Sequence, residues 1–180
     1  MKNKIVLSLL VFVIIVVLVF CFSIQKIEIS EHYLENDSVE ITANLNNDGF
    51  LDVIRLDVEY ENTEDKVADF FKTLFSETPY TLTINNKEFK YMTDNGYRVY
   101  SLGVADLNKD NNVEVLIGVI NDSISPSYRN WLVYNSEGEF VIKIYDGEMV
   151  YNKLLNHLRV KYKLSETKTL MYETCYYKLS

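Results

Sequence analysis

Two stretches decide how this chain is read: Asn44-Leu45-Asn46-Asn47-Asp48-Gly49-Phe50-Leu51-Asp52 and Asp106-Leu107-Asn108-Lys109-Asp110-Asn111-Asn112-Val113-Glu114. They begin 62 positions apart. Each follows an alternating stretch, residues 39–43 or 98–104, of the kind a half-buried strand requires. Each also leads into a second stretch, 53–60 or 113–120, and the later one is apolar enough to be covered on both faces.

Outward from the loops the likeness continues. Residues 80–89 match residues 131–140, both reading strand, polar turn, strand. A period near 60 with four strands suggests a propeller blade or a related sheet repeat. The expected fold is therefore mainly β, with two propeller-blade-like four-stranded antiparallel units at about 38–92 and 98–145. Within the first unit Val67, Phe70, Phe71, Leu74 and Phe75 fall on one face of a short inserted helix, with Asn62 as its cap, Asp65 closing the cap and Pro79 beyond its end. Residues 157–164 and 169–179 alternate around a turn at 165–168 and predict a C-terminal hairpin. Two units do not close a propeller ring. The expectation is an incomplete propeller-like or sandwich-like stack finished by the first strand and the C-terminal hairpin, or an assembly of several chains.

The chain has 180 residues, 48% of them apolar, with 26 acidic and 18 basic side chains. The apolar residues are unevenly spread, because residues 5–24 contain no charge and only Ser8 and Ser23 are polar. A helix of that length rises about 30 Å, the thickness of a bilayer's hydrocarbon core. Lys2 and Lys4 precede the run, so the positive-inside bias predicts a single-pass membrane protein with a cytoplasmic N-terminus, residues 1–24 forming a signal anchor. The competing reading is a cleaved signal peptide and a secreted product, although Cys21-Phe22-Ser23 is a poor small-x-small site. Either way residues 25–180 form an exported domain. That domain carries 16 basic and 26 acidic groups, a formal charge of −10, which repels phosphate backbones and excludes nucleic acid as a partner. Cys21 lies in the apolar run and Cys175 near the C-terminus, so no intrachain disulfide is expected.

A loop offering oxygens at positions 1, 3, 5 and 9, with a backbone carbonyl at 7, can wrap a hard cation such as Ca²⁺. In the first loop these are Asn44, Asn46, Asp48 and Asp52, with the carbonyl of Phe50. In the second they are Asp106, Asn108, Asp110 and Glu114, with the carbonyl of Asn112. Gly49 permits the sharp turn at position 6, and Asn111 replaces it in the second loop. An EF-hand would place a bidentate Glu at position 12, where Arg55 and Ile117 stand. Metal-free Asx turns, in which the same side chains bond nearby amides, are the alternative.

The Asp-x-Asn-x-Asp-Gly-x-x-Asp pattern between strands, followed by the hairpin at Val133-Tyr134-Asn135-Ser136-Glu137-Gly138-Glu139-Phe140, resembles the FG-GAP or VCBS repeats of integrin-alpha-like β-propellers over about residues 38–145. The resemblance implies loops that bind calcium and rigidify each blade, with adhesion or ligand binding on other surfaces; calcium sites of extracellular modules are in general weak. Asn44 departs from the usual Asp at position 1, and Asn111 from the usual Gly at position 6.

No catalytic motif stands out. His32 and His157 share no metal-ligand spacing. Tyr97, Tyr100, Tyr128, Trp131, Tyr172, Tyr176 and Tyr177 are strand aromatics of the sort that pack in cores or stack on sugars. The expected function is thus a membrane-anchored, calcium-stabilised extracellular module that binds or adheres to a protein or glycan without catalysis. A cell-envelope enzyme or enzyme accessory, and a structural spacer with no ligand, are the alternatives.

Overall fold

The computed structural model describes residues 2–60, 76–121, 129–163 and 172–178. The expected helix over 62–75 and the expected turn at 165–168 lie outside them. One helix, α1 (Lys2–Phe22), precedes thirteen strands. These are β1 (Ile24–Ile27), β2 (Ser30–Tyr33), β3 (Ser38–Ala43), β4 (Asp52–Val58), β5 (Pro79–Ile84), β6 (Lys87–Met92), β7 (Tyr97–Ala105), β8 (Glu114–Asn121), β9 (Arg129–Tyr134), β10 (Phe140–Tyr145), β11 (Glu148–Asn152), β12 (His157–Lys163) and β13 (Tyr172–Lys178).

All the pairings are antiparallel, and the strands form three sheets rather than the two units and a hairpin expected from sequence. The first sheet runs β3-β4-β5-β6 and coincides with the first repeat. The second runs β10-β9-β8-β7-β2, so the second repeat gains a fifth strand. The third runs β1-β11-β12-β13, so the C-terminal hairpin belongs to a four-stranded sheet. The difference has a simple cause: β1 and β2 have four residues each, too short to show an alternation, and their partners lie far along the chain.

The middle sheet is covered on both faces. Along β8 and β9, Val115, Ile117, Val119, Leu132 and Tyr134 enter one core with Ile54, Leu56 and Leu82 of the first sheet. Leu116, Trp131 and Val133 enter a second core with Met149, Leu158 and Val160 of the third. Alternation along single strands thus builds two cores, as the apolar reading of 113–120 implies. Buried tyrosines fasten the first core. The hydroxyls of Tyr80 and Tyr134 meet at 2.5 Å, and the Tyr91 ring stacks 4.9 Å from that of Tyr134. Tyr91 also donates to the carbonyl of Gly138, whose φ of +82° suits glycine and whose missing Cβ would strike the Phe89 ring.

Tight turns account for other left-handed residues. Asn36 and Asp37 link β2 to β3 with φ of 51° and 65°, and Asn85 and Asn86 link β5 to β6 with 48° and 69°, the primed-turn geometry of two-residue hairpins. Cys175 is a free thiol packed against the second core.

Helix α1 is 21 residues long, and every side chain described on it, residues 9–19, is apolar and between 47% and 66% exposed. No side of that stretch is buried against protein. Among the residues so described, no helix is long and apolar enough to cross a membrane.

Candidate metal loops

The two loops have the same backbone. Positive φ falls at the fourth and sixth positions of each, at Asn47 (56°) and Gly49 (87°) and at Lys109 (57°) and Asn111 (74°). Glycine and asparagine take this geometry readily, while Lys109 is held in it by the rest of the loop.

The ninth position ties each loop shut. Asp52 Oδ2 accepts the amide of Leu45 at 2.9 Å, and Glu114 Oε2 accepts that of Leu107 at 2.9 Å. Those leucines occupy the second position and are 1% and 0% exposed, Leu45 in the first core and Leu107 in the second. Each loop is therefore plugged into its own layer by one apolar side chain. The loops also touch: the amide of Val113 donates to the carbonyl of Leu45 at 2.8 Å.

Positions 3 and 5 form repeated Asx turns. Asn46 Oδ1 accepts the amide of Asp48 (3.2 Å) and Asp48 Oδ1 that of Phe50 (2.8 Å). In the second loop Asn108 Oδ1 accepts the amide of Asp110 (3.0 Å) and Asp110 Oδ1 that of Asn112 (2.7 Å). Phe50 and Asn112, expected as carbonyl ligands, thus present their amides to the fifth-position carboxylates. Position 1 differs between the loops. Asp106 accepts the amides of Asp110 and Asn111 at 3.2 and 3.1 Å, whereas Asn44 Oδ1 is buried with no hydrogen-bond partner. A buried acceptor without a partner is costly, and a cation is one group that would satisfy it.

The electrostatics differ as well. Glu114 is pushed up to about 7, first by burial and further by Asp110 and Asp106, against the opposing pull of the Leu107 amide. Asp52 is better supplied, because Asn85 Nδ2 donates to its Oδ1 at 2.5 Å while Asn85 Oδ1 accepts the amide of Val53 at 3.0 Å. Asn85 is a loop residue that sequence reasoning missed; its place in the two-residue turn after β5 was the available signal. Leu45 and Leu107 were also missed as anchors, although both stand at position 2 of the quoted stretches.

Among the described residues, no three His, Cys, Asp or Glu side chains converge closely enough to hold a metal ion. The carboxylates of the loops are engaged with backbone amides, so the geometry is that of Asx turns. The donors fit a cation in composition, and Asn44 Oδ1 supplies an oxygen for which the protein provides no donor.

The other sequence candidates separate. His32 lies on β2 of the middle sheet and His157 on β12 of the third. Trp131 is buried and donates to Asp146 Oδ1 at 3.0 Å, and Tyr177 packs against the second core. Tyr100 stands between Tyr33 and Trp131, at centroid distances of 6.2 and 6.4 Å, with the Arg129 guanidinium 5.2 Å from its ring. Burial raises the Tyr100 phenol, which has no hydrogen-bond partner. Tyr128 and the side chains of Tyr172 and Tyr176 lie outside the described residues.

Searches against protein-family models, curated proteins and solved structures found no match.

Proposed function

We propose that this chain is a single-pass membrane protein whose exported domain is a calcium-stabilised, non-catalytic binding or adhesion module built from blade-like sheets of the FG-GAP/VCBS kind. The observation that carries the reading is the repetition of one loop backbone at 44–52 and 106–114, with the same positive-φ positions and the same carboxylate-to-amide closure. Eight oxygen-bearing side chains stand at matching positions in the two loops, four in each. The unpartnered Asn44 Oδ1 favours a cation in the first loop. Helix α1, whose described side chains at residues 9–19 are apolar and exposed all round, favours the anchor, since a helix that is apolar on every side belongs in a core or a bilayer. The exposed ring of Tyr33, beside Arg129 and the largely buried Tyr100, is the surface offered to an extracellular protein or glycan.

The test is the melting temperature of the full chain in detergent, followed by the emission of buried Trp131, in calcium and in chelator. Calcium at tenfold its dissociation constant adds about 1.4 kcal/mol per site. That corresponds to a rise of about 3–6 °C per site for a chain of this size. Asn44→Ala and Asp110→Ala each remove part of the rise. A chelator that leaves the wild-type melting temperature unchanged refutes the metal. Protease added to intact cells should remove the domain and spare the N-terminus, and cleavage at the N-terminus from outside refutes the orientation.

A further inference from the structure

We infer that the turn between β11 and β12 inserts Leu154 and Leu155 into the outer face of the bilayer, as a second contact that fixes the tilt of the domain on its anchor. The inference rests on the proposal above that α1 spans that bilayer.

The helix and the third sheet are joined almost without a spacer. Ser23 alone separates α1 from β1; its amide donates to the carbonyl of Val19 at 3.1 Å, closing the helix. The carbonyl of the same residue accepts the amide of Lys153 at 2.9 Å. The point where the helix leaves the membrane is therefore hydrogen-bonded to the first residue of the β11–β12 turn, and the next two residues are Leu154 and Leu155.

Those leucines are 62% and 57% exposed, on the tip of a turn where polar residues are the norm. Ile24, beside the helix exit, is 42% exposed as well. The turn is also built to leave water. Asn152 Oδ1 accepts the amides of Leu154 (3.0 Å) and Leu155 (3.2 Å), so the backbone donors under the two side chains are already satisfied. Tyr151 donates to Asn156 Oδ1 at 2.8 Å, and Asn156 takes φ of 51°, which braces the far side of the turn. Exposed Lys153 begins the turn with a long stem that keeps its charge at headgroup level while its methylenes lie in the apolar zone. An apolar tip with satisfied amides, a basic neighbour and a direct bond to the helix exit matches the outer boundary of the bilayer, where amphipathic elements bury about 5–10 Å deep.

The test uses the full chain in phosphatidylcholine nanodiscs, with and without lipids brominated near the headgroup end of their acyl chains. Two variants are compared: Leu155→Trp at the tip and Phe12→Trp within α1. The native Trp131 is 1% exposed inside the second core, out of reach of the bromines, and serves as an unquenched background. Both added tryptophans should lose emission in brominated lipid, with the tip signal shifted to the blue. Quenching of Phe12→Trp with no change in Leu155→Trp overturns the inference and leaves the span standing. Quenching of neither removes the span itself, and the inference with it.

Discussion

The contact between Tyr80 and Tyr134 offers the sharpest test of how the first and middle sheets meet. Both side chains are 2% exposed, and their hydroxyls are 2.5 Å apart although 54 residues separate them. Burial pushes Tyr80 up to about 12 and Tyr134 higher still, so both phenols are neutral throughout the workable range and the contact is independent of pH. Tyr80→Phe strands the Tyr134 hydroxyl in an apolar core, and Tyr134→Phe strands that of Tyr80. Leaving one buried partner unsatisfied costs about 1–3 kcal/mol, whereas removing both hydroxyls together is close to neutral. Each single variant should therefore melt about 4–8 °C lower, for a loss of about 2 kcal/mol. The double variant should recover most of that loss, giving a coupling of about 3 kcal/mol in the double-mutant cycle. Trp131 emission during thermal unfolding of the full chain in detergent reads all four species. Additive losses, or single losses below about 0.5 kcal/mol, would show that the hydroxyls reach water and that the two sheets do not pack as described.

Glu114 gives the fold a pH dependence. Its folded value of about 7 lies above its ordinary 4.5, so its contribution to stability is fully present below pH 4.5 and is lost as pH rises through 7. In chelator, moving from pH 8 to pH 5 should stabilise the wild type by about 1–2 kcal/mol more than Glu114→Gln, after allowance for solvent screening of a half-buried group. A Glu114→Gln variant with the same slope would refute the assignment. At Gly138 an added methyl strikes the Phe89 ring on a backbone of φ +82°, so Gly138→Ala should cost about 1–3 kcal/mol in the same melts. Gly49, also left-handed at φ +87° but with nothing near its missing Cβ, should lose less on the same change, and a reversed order would contradict the packing of Phe89 under the β9–β10 turn.

Much of the architecture was legible because it is local. The strands flanking each quoted loop appear within a residue or two of their expected ends, since alternation and a polar turn are short-range signals. The double coverage of β8 was readable from its unbroken apolar run. Of the third sheet only the C-terminal hairpin was readable, because Ile24-Gln25-Lys26-Ile27 has no pattern of its own and becomes a strand only against Met149-Val150-Tyr151-Asn152. The loops show the same division. Asn111 and Gly49 take the left-handed geometry their identities suggest, whereas Lys109 takes it without any such cue. Asn85 reaches Asp52 across 33 residues, and no spacing rule links them.

The pairing of β1 with β11 also governs when the protein can fold. Ile24 faces Asn152, and Ser30 on β2 faces Val104, so the first two strands wait for partners far along the chain. The first sheet, built wholly from neighbours between 38 and 92, needs no such delay. Closing long loops before contacts compensate for them is the slow part of folding. Only the first two strands thus pair out of order: the sheet of β3 to β6 can form first, and the sheet joined to the helix waits for the C-terminal strands. Until then β1 holds an unpaired edge, the state in which a folding helper or a protease would meet this chain.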